Sequence, residues 1–301
     1  MAILHDLPPE LLHAIFAWME HEPPPRTTFV ACSVVSRLWR DIALPYLFST
    51  LKARRRESFA NVIPFLETHP HIAACVKRLW LQRTGVSAPK PEVDYETVSA
   101  LLARLPALVN LSFHTVKFVG LRSLPLGPQF ASELSATTIP STNAHTVQGS
   151  NHDGPYRLDL VILYSCTVPD PTPLFRILSL CEMDTLRATL NELPGTNIAQ
   201  VDPAALHRPL RVRWLRVAVQ KRPARIAQRP PPLLEALRVA LEPGSVRAFD
   251  VTCHNWDEVA SAGALLRDVG RNLTTLRLSV FWGSAEGEPR SRRLTNRDGD
   301  P

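Results

Sequence analysis

The sequence contains few cysteines and no long apolar segment, and both features exclude classes of protein. Its five cysteines are scattered and none belongs to a Cys-x-x-Cys pair, which indicates reduced thiols and argues against a disulfide framework. Apolar runs such as residues 160–163 are far shorter than the roughly 18 residues of a membrane span. The N-terminus has no basic region followed by an apolar core, so we expect no secretory signal. We therefore predict a cytoplasmic and/or nuclear protein with no membrane partner.

Motifs that mark catalysis or cofactor binding are also absent from the sequence. It has no glycine-rich phosphate loop, no Gly-x-Ser-x-Gly and no His-Glu-x-x-His. Cys253 and His254 are adjacent, but neighbouring side chains on a strand point to opposite faces and do not form a nucleophile–base pair. His69 and His71 have no third ligand nearby. We therefore predict no enzymatic activity, no cofactor and no metal site.

Apolar residues and proline, by contrast, are abundant. Apolar residues make up 45% of the 301 positions, which is enough for a large core. The 28 prolines predict many short elements with sharp boundaries, since proline interrupts helices and strands. The net charge of +6 permits acidic partners without requiring them. Basic residues cluster at 52–56, 221–229 and 290–293, and we interpret these clusters as solvated faces or linkers. For the first cluster, the alternative is a nuclear import signal or a phosphate-binding patch.

Residues 7–48 predict a compact cluster of two or three helices. Pro8 and Pro9 suit the first turn of a helix, and Glu10 complements its positive end. Apolar residues then recur at helical spacing as far as Met19, and again from Val30 until Pro45. A segment of about 40 residues is near the lower limit for a self-sufficient core. We therefore expect its apolar surface to be completed by a partner or by the rest of the chain.

Two blocks of this segment resemble the F-box family. Residues 7–16 read LPPELLHAIF and residues 32–43 read CSVVSRLWRDIA. The resemblance implies a three-helix module that binds the Skp-type adaptor of a cullin-based ubiquitin ligase. It implies adaptor contacts for Leu7, Pro8, Leu11, Ile15 and Phe16, and mixed contact and core roles for Val34 and Trp39. The alternative is an N-terminal helical cap whose apolar face covers the next domain.

The body of the chain repeats a strand pattern, apolar-x-x-apolar-x-apolar. Copies begin at residues 76, 108, 212, 246 and 273, and weaker copies lie at 156–163 and 183–190. Predicted helices precede five of these strands: Phe59–Leu66, Tyr95–Leu105, Pro173–Leu180, Leu233–Leu241 and Trp256–Val269. Such units resemble leucine-rich repeats and place parallel strands on one side and helices on the other.

The fold class we predict is therefore α/β, with an N-terminal three-helix F-box followed by a curved α/β leucine-rich-repeat-like solenoid. The alternative is a doubly wound sheet, which the absence of a glycine-rich phosphate loop disfavours. The predicted divisions are an F-box (1–50), a first repeat-like segment (51–119), a flexible insertion (120–155), the remaining repeat-like segment (156–282) and a disordered tail (283–301).

The strand pattern also predicts which residues face the open, concave side of such a solenoid. They are the residues between the last two apolar positions of each copy: Trp80, Ser112, Arg187, Arg216, Asp250 and Arg277. We hypothesise that this row contributes to a substrate-binding surface, whose three arginines favour an acidic or phosphorylated segment. The alternative is a solvated sheet face.

Together these features predict the substrate-recognition subunit of a Skp–cullin–F-box E3 ubiquitin ligase. Its partners would be a Skp-type adaptor, through it a cullin, and a protein substrate that the sequence does not identify. The alternatives are a non-ligase F-box scaffold and a basic solenoid that binds nucleic acid. The basic clusters disfavour nucleic acid because they lack the interleaved aromatic residues of a single-strand binding surface.

Overall fold

A computed structural model describes seven segments of the chain, residues 7–21, 26–55, 59–85, 88–120, 154–191, 201–219 and 232–281. The N-terminal part consists of three helices, α1 (Pro9–His21), α2 (Arg26–Ser33) and α3 (Arg37–Leu47). Helix α1 begins with a proline in its first turn, followed by Glu10, as a helix N-terminus favours. Helix α3 begins after Ser36, whose hydroxyl accepts a hydrogen bond from the Trp39 N–H at 3.2 Å. The predicted helical cluster is confirmed.

Beyond the helical module, parallel strands alternate with helices. The strands are β1 (Thr50–Arg55), β2 (Arg78–Arg83), β3 (Glu92–Val93), β4 (Asn110–His114), β5 (Lys117–Phe118), β6 (Tyr156–Thr167), β7 (Cys181–Asn191), β8 (Val212–Val219), β9 (Ala248–Cys253) and β10 (Thr275–Val280). The helices are α4 (Val62–Thr68), α5 (Pro70–Ala73), α6 (Tyr95–Arg104), α7 (Pro171–Leu178), α8 (Pro232–Ala240) and α9 (Trp256–Val269).

All these strands belong to one parallel sheet that follows the order of the chain. The main path runs β1-β2-β4-β6-β7-β8-β9-β10, and the short strands β3 and β5 pair beside it. Consecutive helices pack on one another, α4 on α6, α6 on α7, α7 on α8 and α8 on α9. Because parallel crossovers are right-handed and the strand order never reverses, these helices share one face of the sheet. The order excludes the doubly wound alternative, which requires a reversal.

The core lies between this helix layer and the sheet. On β2, Leu79 and Leu81 are buried while Trp80 between them is only partly covered, which is the alternation expected of a sheet packed on one face. Helix α7 fills the layer with Leu174, Phe175 and Ile177, all buried. Within the described chain, the other face of the sheet carries no helix. We call it the open face.

The predicted curvature is wrong, because the sheet does not curl. Helices pack about 8–10 Å apart, roughly twice the distance between strands, so a regular curve depends on segments of similar width behind successive strands. The described part of the connection between β7 and β8 instead contains only a 3-10 turn, Pro203–Ala205. The parallel α/β region is confirmed, whereas its membership of the leucine-rich-repeat class stays a prediction.

The predicted elements occur close to their expected positions. Five predicted helices correspond to α4, α6, α7, α8 and α9, and the seven strand copies correspond to β2, β4, β6, β7, β8, β9 and β10. The structure adds β1, β3, β5 and α5, which sequence reasoning missed. The predicted insertion at 120–155 lies outside the described residues except for 120, 154 and 155, and the predicted tail at 283–301 lies outside them entirely.

Candidate functional site

The helical module has its own small core of aromatic rings. Phe16 stacks on Phe29 and on Tyr46, with ring centroids 5.6 and 5.5 Å apart, and meets the edge of Trp39 at 5.9 Å. The Tyr46 hydroxyl donates a hydrogen bond to the His13 carbonyl at 3.2 Å, which ties α3 to α1. These rings form a buried cluster separate from the core of the sheet. The module therefore does not depend on the sheet to bury its central side chains.

Outside this core the module exposes large apolar side chains. Leu11, Ile15 and Trp18 follow one another at positions i, i+4 and i+7 of α1, and so share one helix face. Trp18 is 65% exposed and Val34, in the turn after α2, is 72% exposed. Three more exposed apolar residues lie on α2, in the turn or on α3: Val30, Val35 and Leu38. We call these seven residues the apolar surface of the module; large contiguous apolar patches mark protein or membrane interaction sites and ligand grooves.

The predicted adaptor contacts differ in exposure: four are exposed, two are partly buried and one, Phe16, is buried. Pro8, Leu11, Ile15 and Val34 are exposed. Leu7 and Trp39 are partly buried and pack against the aromatic core.

Phe16 requires a correction. Its side chain is only 1% exposed because it occupies the centre of the ring cluster, so it is a core residue rather than a surface contact. Sequence reasoning did not single out four other exposed apolar residues of the module, Trp18, Val30, Val35 and Leu38. The helical spacing of Trp18 from Leu11 and Ile15 was a usable signal.

The six residues predicted to face the open side fall on one line across the sheet. Strand register joins them through Cα partners, in the order Lys52, Trp80, Ser112, Ile162, Arg187, Arg216, Asp250 and Arg277. We call these eight residues the transverse row. Lys52 and Ile162 were missed, since β1 was interpreted as a basic linker and β6 as a weak copy of the strand pattern.

Charge and exposure differ along the transverse row. Arg187, Arg216 and Arg277 are exposed, and Arg216 forms an ion pair with Asp250 at 3.5 Å. At the other end, the Lys52 ammonium lies 4.6 Å from the centre of the Trp80 ring, a distance typical of a cation–π contact.

Two members of the row differ from the expectation of an accessible surface. Ser112 is 2% exposed and Asp250 is 9% exposed. Both are short side chains flanked by longer ones, Trp80 and Ile162 beside Ser112, and Arg216 and Arg277 beside Asp250. The longer neighbouring side chains leave Ser112 and Asp250 buried, so these two residues offer little accessible surface to a partner. Because the sheet does not curl, the row also lies on an open face rather than in a concave groove.

Aromatic side chains accompany the transverse row. Trp80 stacks on His114 with ring centroids 5.1 Å apart, and His114 lies 5.7 Å from Tyr164. Tyr164 and Trp214 are exposed. The sequence places these residues on separate strands, and only the strand register brings them to the same face.

The cysteines on the strands do not have the properties of nucleophiles. Burial raises the pKa of Cys166, Cys181 and Cys253 to about 12, so these thiols stay protonated at neutral pH. His254 follows Cys253 and donates its backbone N–H to Glu258 at 2.6 Å. Across the described segments, no group of three His, Cys, Asp or Glu side chains is placed to hold a metal ion. No helix in them is long and apolar enough to cross a membrane.

The fold and surfaces define a helical module with exposed apolar side chains, joined to a parallel α/β sheet. Comparison with known families identifies the module, because residues 4–54 match the F-box-like family model. F-box domains generally bind Skp-type adaptors, and the domain supports an adaptor role in Skp–cullin–F-box complexes. The match ends within β1 and does not extend into the predicted repeats. No curated protein matches the chain at a significant level.

Proposed function

We propose that this protein is the substrate-recognition subunit of a Skp–cullin–F-box ubiquitin ligase and catalyses no reaction itself. In this role the apolar surface of the module binds a Skp-type adaptor, and the open face of the sheet binds a protein substrate. The observation that carries the proposal is the F-box-like match at residues 4–54, together with exposed apolar side chains on those same helices.

The separate core of the module supports the adaptor role over the helical-cap alternative. A cap would use its apolar face to cover the next domain, leaving that face buried. Here Ile15 and Val34 are exposed while Phe16 fills the internal core. Burying such side chains contributes about 1.5–3 kcal/mol each when complete, so an adaptor that covers several of them gains substantial binding free energy.

The transverse row supports binding of an acidic substrate segment. Arg187 and Arg216 are Cα partners on neighbouring strands, and Arg277 lies two strands further along the path. Guanidinium groups form bidentate hydrogen bonds with carboxylates and phosphates. Because Asp250 already pairs with Arg216, Arg187 and Arg277 are the row members we expect to contribute most.

Tethering explains how two binding surfaces serve ubiquitin transfer. One end would hold the adaptor and its cullin, and the other would hold the substrate. Linking the two raises the effective concentration of substrate near the ubiquitin-loaded enzyme without requiring any catalytic group in this chain.

Co-purification with a Skp-type adaptor tests the first half of the proposal. We expect Val34→Asp to weaken adaptor binding at least tenfold, because it places a charge within the apolar surface. Val239→Asp is the matched control, since Val239 is an exposed valine on α8, outside the module. Equal binding by both variants, or no adaptor binding by the unmodified chain, would contradict the proposal. Adaptor binding without cullin recruitment would favour the non-ligase scaffold.

Charge reversal on the open face tests the second half. We expect the double variant Arg187→Glu and Arg277→Glu to bind the adaptor normally. We also expect the ligase assembled with this variant to ubiquitylate fewer proteins than the ligase assembled with the unmodified chain. Quantitative mass spectrometry of ubiquitylated proteins provides the measurement, with Arg271→Glu as a control on an exposed turn. An unchanged set of ubiquitylated proteins would refute a substrate role for the row.

One observation favours nucleic acid as a second candidate ligand of the open face. Trp80, Tyr164 and Trp214 lie on the same face as the exposed arginines, and bases stack on such aromatic side chains. Titration with a single-stranded oligonucleotide at several salt concentrations separates the candidates. A steep loss of affinity with salt, combined with no adaptor binding, would favour nucleic acid.

A further inference from the structure

A cavity opens at the carboxyl ends of β1, β2 and β4. It has a volume of about 310 Å³ and is lined by Arg54, Gln82, Arg83, Thr84, Gly85, His114 and Thr115. Arg54, Gln82 and His114 are successive Cα partners across the three strands. Arg83 is the last residue of β2, and the remaining three residues directly follow β2 or β4. The carboxyl ends of parallel strands are where open α/β sheets bind their ligands.

The lining is rich in hydrogen-bond donors. Arg54 and Arg83 supply guanidinium groups, Thr84 and Thr115 supply hydroxyls, and no lining residue is a carboxylate. Lys90 lies close enough to Arg83 for their charges to interact: burial lowers the pKa of Lys90, and the Arg83 charge adds to that lowering. The lining therefore offers positive charge and donors, with no acidic side chain of its own to neutralise them.

Two polar atoms at this cavity have no partner. The Nε atom of Arg83 and the Nε2 atom of His114 are both buried without a hydrogen bond among the described residues. Buried polar atoms in folded proteins are nearly always hydrogen-bonded, so an acceptor that reaches these two atoms would satisfy them. Burial lowers the pKa of His114, which favours the neutral ring with one N–H donor at neutral pH.

The backbone around the cavity is held in unusual conformations. Gly85 has φ of +74° and Thr115 has φ of +55°, a region that non-glycine residues rarely adopt. The Thr115 N–H donates a hydrogen bond to the Tyr164 carbonyl at 2.8 Å, which anchors this turn to β6. The turn therefore holds Thr115 at the rim of the cavity.

We propose that this cavity binds a phosphate group. Arg54 and Arg83 provide charge-assisted hydrogen bonds to the phosphate oxygens, and the hydroxyls of Thr84 and Thr115 and one N–H of His114 complete the donor set. The volume exceeds that of a lone phosphate ion and leaves room for the atoms that carry the group. The site is separate from the arginines of β7, β8 and β10, and it does not depend on adaptor binding.

Isothermal titration of the full chain with inorganic phosphate tests the site. We expect saturable binding that weakens at least tenfold in Arg54→Gln and in Arg83→Gln. Arg271→Gln is the control, because Arg271 precedes β10 at the opposite end of the strand order. Arg83→Lys keeps the charge but loses the planar guanidinium, and we expect it to bind less tightly than the unmodified chain while folding normally by circular dichroism.

A second titration identifies what carries the phosphate group. A phosphoserine peptide that binds at least tenfold more tightly than inorganic phosphate, with no binding of its unphosphorylated form, supports a protein ligand. Equal affinity for the peptide and for inorganic phosphate supports a free ion or a small phosphate ester. Absence of saturable binding by every phosphate compound overturns the proposal, as does equal weakening in Arg54→Gln and Arg271→Gln. Loss of adaptor binding would leave these results unchanged, so the two proposals fail separately.

Discussion

Ile15 and Phe16 are neighbours in sequence with opposite environments. Successive helix residues are rotated by about 100°, so Phe16 points into the module and Ile15 points away from it. Phe16 contacts three other rings, those of Phe29, Trp39 and Tyr46. Ile15 is 45% exposed. One residue therefore stabilises the fold of the module, whereas the other is available to a partner.

Substitution of these two residues separates stability from binding. We expect Phe16→Ala to reduce the free energy of unfolding of the module by about 3–5 kcal/mol, because it leaves a cavity among three rings. Ile15→Ala changes stability by about 0.5 kcal/mol or less and weakens adaptor binding. Hydrogen exchange of α1–α3 measures the first effect and adaptor titration the second. Equal loss of stability in the two variants would contradict this assignment.

At the residue scale, the sequence predicts the face of the sheet that a residue occupies more reliably than it predicts the exposed fraction of its side chain. All six predicted row residues fall on one line across the sheet, because the strand pattern specifies which face each residue occupies. Exposure depends also on neighbouring strands, which the pattern does not specify. Ser112 illustrates this, since the side chains of Trp80 and Ile162 on either side leave it buried.

At the element scale, the boundaries of the helices follow from local hydrogen bonds. Helix α9 begins after Asn255, whose side chain accepts the Glu258 N–H at 2.8 Å. The buried Glu258 carboxylate in turn accepts the His254 N–H at 2.6 Å and the Asn255 side-chain amide at 3.1 Å. This reciprocal arrangement resembles a capping box. It joins the end of β9 to the start of α9.

We expect Glu258→Ala to destabilise the sheet region by about 1–3 kcal/mol. The substitution removes the hydrogen bond from the His254 N–H to the Glu258 carboxylate, and losing a buried hydrogen bond to a charged group costs about that much. Asn255→Ala removes only the helix cap, at about 1 kcal/mol. Urea denaturation measures both. Glu258→Gln keeps an acceptor oxygen and provides the control, and an equal loss in Gln and Ala variants would show that the hydrogen bond to His254 contributes little.

Elements with a strong apolar pattern are predictable, and those without one are not. Helix α9 occurs at Trp256–Val269, the range its apolar spacing predicts. Strand β1 was missed because its basic residues alternate with only Leu51 and Ala53, too weak a signal to distinguish a strand from a linker. Strands β3 and β5 contain two residues each, too few to show a repeating alternation. Whether the sheet curls depends on how the helices pack, which no single strand encodes.

At the scale of the whole molecule, two cores share one chain. The aromatic core of the module and the long core of the sheet are separate clusters of buried residues. The described chain passes from α3 into β1, and β1 pairs only with β2 along the main sheet path. The backbone therefore links the cores, but their buried side chains do not interdigitate. Such units can unfold at different free energies.

Hydrogen exchange with mass spectrometry tests this independence. Phe249 on β9 is fully buried in the sheet core, so Phe249→Ala should cost about 3–5 kcal/mol there and leave protection of α1–α3 unchanged. Phe16→Ala should do the reverse, exposing the module while β4–β9 stay protected. Loss of protection throughout the chain in both variants would mean that β1 couples the two cores into one cooperative unit. Independence, in contrast, means that a damaged helical module leaves the open face and the cavity at the ends of β1, β2 and β4 intact, so binding at each surface can be measured without the other.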